Sequence, residues 1–258
     1  MLARQRQELI LQQVHARGGA RVSDLVESLG VSDMTVRRDI EALVRRGLVA
    51  RVHGGATSVP APSTHEPGFA LKSSLRTAQK EAIARAAAAL VEPGASVAVS
   101  GGTTTYAVAR ELTSLANLTV VTNSLPVAEL LHRERPGLPV VLTGGERSPS
   151  EALVGPVAVA ALRTLHVDWL FLGVHGMDAR AGFTTPDLVE AETDRALIAG
   201  ARRVVVTADS SKWGIVGLSS IARLDEVDVL VTDDGLGAEA TRTARSRLGR
   251  LVLVPTRA

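Results

Sequence analysis

Five clusters of polar residues each follow a short apolar run, and they gather side chains and backbone that could hold an anion. Gly101-Gly102-Thr103-Thr104-Thr105 follows the run 95–100 and opens a helical stretch. Glycines let the backbone approach a ligand, hydroxyls donate, and a helix N-terminus favours negative charge. Asn123-Ser124 follows the run 118–122, where it also fits a plain helix cap. Gly144-Gly145-Glu146-Arg147, His175-Gly176-Met177-Asp178 and Asp209-Ser210-Ser211-Lys212 close three further runs. Lys212 supplies a point charge suited to phosphate, Ser210 and Ser211 can donate to its oxygens, and Asp209 can accept from a hydroxyl. One Gly-Thr turn or one loop Lys is ordinary surface. Five such ends converging on one crevice are expected to make a polar small-molecule site with a phosphate-sized anion subsite.

A second constellation lies near the start. Residues 1–57 carry nine Arg against six acidic residues, while the whole chain of 258 residues has a formal charge of only +2. That excess is too small to establish nucleic-acid binding, so the pattern must do so. Met34, Val36, Ile40, Leu43 and Val44 form an apolar stripe that leaves Thr35, Arg37, Arg38 and Glu41 exposed on one helix, with Ser32 as its cap. An Arg here can bond guanine bidentately or neutralise phosphate, and the pattern does not say which. Arg51 lies on an alternating run, and His53 fits a phosphate contact or a turn bonded to its own backbone equally well.

The elements that must position these residues fall into two groups. Leu9, Ile10, Leu11 and Val14 mark a helix ended by Gly18-Gly19; Val22, Leu25, Val26 and Leu29 mark a second, stopped at Gly30. With the third helix and the run Leu48–Val52 turning at His53-Gly54-Gly55, residues 1–57 predict a winged helix-turn-helix for double-stranded DNA. Residues 58–78, with Pro60, Pro62 and Pro67, predict a linker. Residues 79–258 alternate Ala-rich helical stretches with Val/Leu runs, which predicts a mostly parallel, doubly wound α/β domain with its ligand beyond the carboxyl ends of the strands.

The run Val31-Ser32-Asp33-Met34-Thr35-Val36-Arg37-Arg38-Asp39-Ile40, then Gly47-Leu48 and Arg51-Val52-His53-Gly54-Gly55-Ala56, resembles the DNA-binding head of the DeoR family of regulators. Gly102–Thr105, Thr119–Ser124, Leu142–Gly145, Asp168 with Phe171–Val174, Gly182–Thr185 and Asp209–Lys212 resemble that family's sensor domain, itself similar to ribose-5-phosphate isomerase. The resemblance implies that Thr35, Arg37 and Arg38 face DNA, that Asp39 fixes the helix, and that a sugar-phosphate-like effector has Gly102 to Thr105 and Lys212 near its phosphate and Asp178 near its hydroxyls. Where many relatives carry a Lys after Glu190-Ala191-Glu192, this chain carries Asp194.

Hydrophobic residues at 45% and charged residues at 22% give a globular balance. Cys is absent, which excludes disulfides, thiolate metal sites and Cys nucleophiles. No metal or other cofactor is expected, since the six His lack metal-binding spacing and no GxGxxG occurs. No apolar run reaches eighteen residues and the start MLARQRQELI has no signal-peptide core, so a cytoplasmic protein without a membrane partner is expected. A homo-oligomer is expected because one recognition helix covers too few base pairs. A sugar-phosphate isomerase with a DNA-binding head is the alternative. It needs a carboxylate base and a cation for the enediolate; Asp178 could be the base, but no Lys lies between it and Lys212. A scaffold that only oligomerises would leave the crevice empty. A regulator, not an enzyme, is therefore the expectation.

Overall fold

The computed structural model describes residues 3–46, 48–58, 63, 64, 66 and 68–256. Gly47, Pro60, Pro62 and Pro67 of the sequence reading lie outside these. The chain divides into two compact units, Met1–Pro62 and Ser63–Ala258.

The first unit contains α1 (Ala3–Arg17), β1 (Gly19–Arg21), α2 (Val22–Leu29), α3 (Asp33–Arg45), β2 (Val49–Val52) and β3 (Gly55–Ser58). Ile10, Val14, Leu25, Val36, Ile40 and Leu43 bury the apolar stripes of the three helices against one another. Gly30, at φ 64°, closes α2 with its N–H on the Val26 carbonyl, and Ser32 caps α3 by accepting from the Thr35 N–H. Gly18-Gly19 does more than stop α1. Gly19–Arg21 pairs antiparallel with β3, giving a three-stranded sheet ordered β1-β3-β2. A Cβ on Gly55 would meet the Ala20 carbonyl oxygen at 2.2 Å, so glycine is what lets these strands approach.

In the second unit, α4 (Phe69–Ser73) and the start of α5 (Thr77–Ala88) fall within the stretch read as a linker. Then follow β4 (Ser96–Val99), α6 (Thr103–Leu112), β5 (Thr119–Thr122), α7 (Leu125–Glu134), β6 (Val140–Leu142), β7 (Glu146–Arg147), β8 (Leu153–Val154) and α8 (Pro156–Leu162). The remainder is β9 (Trp169–Leu172), β10 (Gly176–Asp178), β11 (Gly182–Thr185), α9 (Leu188–Ala199), β12 (Val204–Thr207), β13 (Ser219–Ala222), β14 (Val229–Asp233), α10 (Ala238–Arg247) and β15 (Arg250–Val254).

Seven strands form one sheet ordered β15-β14-β12-β9-β4-β5-β6, with every pairing parallel. Its strands are near-continuous apolar runs because both faces are covered. Val97, Val99, Trp169, Phe171, Val205 and Val231 point to the layer of α5, α6 and α7. Ala98, Leu170, Leu172, Val204, Val206 and Leu230 point to the layer containing Leu162 of α8, Leu197 of α9 and Ala244 of α10. Each buried Val, Leu or Phe contributes about 1.5–3 kcal/mol. A side sheet ordered β10-β11-β13 packs Met177, Phe183 and Ile221 onto the second layer. The chain fills one half of the main sheet through β6, then returns to lay β9 on the other side of β4. That reversal opens a crevice beyond the carboxyl ends of β4 and β9.

Candidate functional site

The crevice at this reversal is lined by Gly101 to Thr104 after β4, Gly173 to His175 after β9, and Thr207 to Asp209 with Ser211 and Lys212 at the end of β12. Gly102 sits at φ 146°, a conformation that favours glycine, and brings the first turn of α6 against the cavity. The volume is about 120 Å³, well below the roughly 300–1,000 Å³ of drug-sized sites, so a small ligand fits.

Of the expected effector residues, Gly102, Thr103, Thr104, Asp209, Ser211 and Lys212 meet here. The others are brought into structural roles instead. Thr105 donates to the Gly102 carbonyl at 3.0 Å; Asn123 accepts from the Gly101 N–H at 3.1 Å and donates to the Leu153 carbonyl at 3.2 Å. Ser124 caps α7. Gly144 and Gly145 lie against Val157 and Val154, outside the cavity lining. Ser210 donates to Asp233 through both its N–H and its hydroxyl, each at 2.7 Å. Asp178 accepts from the N–H groups of Arg180 and Ala181 at 2.7 and 2.8 Å, bracing the β10-β11 turn. These backbone donors hold its carboxyl below the usual range. Asp178 belongs to the side sheet and not to the crevice lining.

The structure adds residues the polar strand ends did not reveal. Glu66, Lys72, Arg76 and Lys80 line the same cavity, as do Ser150, Glu190 and Asp194. One signal was present in the sequence: Lys72, Arg76 and Lys80 recur at intervals of four. Arg76 adopts φ 51° at the break between α4 and α5, a left-handed conformation that costs a non-glycine residue energy and is found at functional sites.

Four cations thus share a small space. Lys72 pairs with Glu66 at 2.5 Å, and Arg76 approaches Asp209 at 3.5 Å. Lys80 donates to the Lys72 carbonyl, and no carboxylate lies within ion-pair reach of Lys80 or Lys212 among the described residues. Burial, then repulsion from Lys72 and Arg76 against the pull of Asp209 and Glu66, pushes the Lys212 ammonium down to about 8. Burial and the neighbouring cations do the same to Lys80, also to about 8, against the pull of Asp209. Glu66 is held at about 2: burial works against its charge, but His175, Lys72 and the Gly68 N–H outweigh it. A dianion placed here would relieve the repulsion among the lysines.

On the first unit, Asp39 is buried and accepts from Arg6 Nε at 2.6 Å and Gln7 Nε2 at 3.0 Å, clamping α3 to α1. Arg37 and Arg38 are exposed; Arg37 pairs with Asp33 one turn earlier at 2.5 Å. Arg37, Arg51 and His53 border one cleft between α3 and the β2-β3 turn, and Arg51 reaches Glu41 at 3.4 Å. Ser32 and Thr35 join hydroxyls at 2.9 Å at the start of α3.

Residues 6–61 match the DeoR-like helix-turn-helix domain, and residues 75–234 match the DeoR C terminal sensor domain. The chain belongs to the DeoR family. This DeoR-family protein is 36% identical over 247 residues to the HTH-type transcriptional regulator GlpR of Haloferax volcanii, covering 95% of this chain and 96% of that one. It is 34% identical over 230 residues to the glycerol-3-phosphate regulon repressor of Escherichia coli, covering 89% and 90%. The DeoR-family chain is accordingly a DNA-binding transcriptional regulator with a sensor domain. Ribose 5-phosphate isomerase A of Methanocaldococcus jannaschii superposes on it at TM-score 0.39 and 19% identity over 52% of this chain and 53% of that one, too weakly to add to the assignment. Among the described residues no helix is long and apolar enough to cross a membrane.

Proposed function

We propose that this regulator represses genes of carbohydrate metabolism and that a small phosphorylated sugar or related metabolite, bound in the crevice, changes its operator affinity. The observation that carries this reading is the pair Lys80 and Lys212, two crowded cations with no carboxylate partner among the described residues, beside a helix N-terminus. The glycerol-3-phosphate regulon repressor among the relatives supports the same chemistry. A coupling of about 1–3 kcal/mol between ligand and DNA changes operator affinity roughly 5- to 150-fold. We favour this over an isomerase because Asp178, the carboxylate that would serve as base, is occupied by the β10-β11 turn. Thermal unfolding of the full chain against a panel of phosphorylated sugars tests it: a ligand of the folded state raises stability by RT ln(1 + [L]/Kd). A panel with no stabilising member, and no change in operator binding, refutes the reading.

Effector affinity is expected to fall as pH rises through about 8, where the free protein loses the Lys80 and Lys212 protons that a bound dianion requires. The unliganded protein carries the opposite sign. Both groups titrate lower in the folded state than their ordinary 10.5, so their charge penalty is full below about 8 and relieved between there and 10.5. Calorimetric titration from pH 7 to pH 9 reads the first effect; an affinity that strengthens over this interval contradicts it.

DNA recognition is assigned to α3 and the β2-β3 turn, with Ser32, Thr35, Arg37, Arg38, Arg51 and His53 as contacts. Arg37→Ala and Arg38→Ala are each expected to weaken operator binding without unfolding the head. A base-reading Arg costs about 1–3 kcal/mol, and a phosphate-neutralising one lowers the salt slope by about one. Anisotropy titrations at several salt concentrations distinguish the two, and unchanged affinity in both variants removes α3 from recognition. One recognition helix reads too few base pairs to find an operator among genomic competitors, so we expect at least a homodimer on repeated half-sites. Light scattering that finds a monomer both free and on DNA rejects this.

A further inference from the structure

Helix α9 sets Glu190 and Asp194 one turn apart on the same face, and both border the crevice. Asp194 is 4% exposed, and no hydrogen bond or ion pair reaches its carboxyl among the described residues. Glu190 accepts from the Ser150 hydroxyl at 3.0 Å. The other two carboxylates of the cavity are already engaged, Glu66 by Lys72 and Asp209 by Arg76 and Ser211. Thr207 Oγ1, 1% exposed and also on the cavity wall, has no partner either. Asp194, without a partner among the described residues, and Glu190, held only by a neutral hydroxyl, therefore stand in the same crevice as two lysines that no described carboxylate pairs.

An unpaired buried carboxylate is costly, and a like charge one turn away adds to the cost. Burial first, and the Glu190 charge second, drive the Asp194 carboxyl well above its ordinary range. Burial raises Glu190 too, against the pull of the Ser150 hydroxyl, with Glu66 adding to the rise. The charges acting on Asp194 are Glu190 and Arg195, not the lysines, so the cations of the crevice do not answer it. Ligand hydroxyls would be met as well by amide or hydroxyl side chains, without this penalty. A pair of acids suits an ammonium, whose charge-assisted bonds would offset the burial of both carboxyls.

We propose that Glu190 and Asp194 form an ammonium subsite, and that the small molecule taken by this crevice carries a primary amine as well as a phosphate. The inference rests on the reading above that the lysines take the phosphate. It gives the Asp at position 194 a purpose: the same crevice that attracts an anion at Lys80 and Lys212 attracts a cation at α9.

Calorimetric titration of the full chain at pH 7 with two matched pairs tests it: glucosamine 6-phosphate against glucose 6-phosphate, and phosphoethanolamine against ethylene glycol monophosphate. The amine of at least one pair is expected to bind about tenfold tighter or more. That margin is expected to shrink to about twofold or less in Asp194→Asn, with Glu190→Gln as the companion variant. Both substitutions remove a buried acid, so both proteins are expected to melt no lower than wild type. Hydroxyl members that bind as tightly as the amines, or a margin that survives in both variants, overturn the ammonium subsite and leave the phosphate reading in place. Failure of both amines to bind also overturns it, and if inorganic phosphate and both hydroxyl members fail too, the phosphate reading falls with it.

Discussion

Lys212→Ala is expected to leave operator binding intact and to abolish the response to effector, giving a permanently bound repressor. Lys212 follows β12 and lines the crevice of the second unit, whereas every residue assigned to DNA belongs to the first. Its ammonium is held near 8 by burial and by Lys72, so the unliganded protein bears a cost for keeping it there. Removing it relieves that cost, and the free protein should melt at the same temperature as wild type or higher. Removing it also deletes a charge-assisted contact to the ligand, about 1.5–3 kcal/mol, or at least tenfold in affinity. The two readouts move in opposite directions, which a merely solvated surface Lys would not produce: its loss shifts stability by less than about 0.5 kcal/mol and leaves the ligand alone. Titration with an identified effector, beside thermal unfolding of the free protein, decides. Wild-type affinity in Lys212→Ala means the anion sits elsewhere.

Asp39→Ala is expected to do the reverse, destroying operator binding while the crevice still takes its ligand. The carboxylate is 3% exposed and joins α3 to α1 through Arg6 and Gln7. Deleting it takes from the Arg6 guanidinium, 14% exposed, the carboxylate that joins it to α3. Breaking such a pair from one side costs about 3 kcal/mol, a large share of the stability of a unit of some sixty residues. A loss of that size lowers the melting of so small a unit by about 10–20 °C. Because the chain has two units, unfolding should be followed by separate probes and not fitted as one transition. A first-unit transition that stays within a degree or two of wild type contradicts the clamp.

The sequence made the main architecture readable because both faces of the central sheet are covered. Runs such as Trp169–Leu172 and Val204–Val206 are apolar throughout, and the Ala-rich helices between them repeat at helical spacing. The head was legible for a similar reason, since Val36, Ile40 and Leu43 leave the arginines no place but the surface. The side sheet was not legible. Gly176–Asp178 and Gly182–Thr185 are short, contain glycine, and are buried by packing on the second layer. That detour explains the misplacement of Asp178: polar residues after β9 face the crevice only as far as His175, after which the chain turns into a hairpin. Asn123 misled for a different reason. An amide that ties two loops and an amide that binds a ligand have the same sequence signature. Lys72 and Arg76 stand at the same four-residue interval as Lys80, but inside a stretch whose prolines made it read as a linker.

The position of Glu66, Lys72 and Arg76 bears on where this chain can be cut. The sensor-domain match begins at residue 75, and a fragment starting there would keep the seven-stranded sheet and Lys212. It would lack Glu66 and Lys72, and with them a carboxylate and an ammonium of the ligand's own wall. The seam between interchangeable parts therefore lies before Ser63, where the contacts divide. A chimera joined at residue 75 inherits a crevice whose Glu66 and Lys72 come from one parent and the rest of whose wall comes from the other, whereas one joined before Ser63 is expected to transfer the specificity whole.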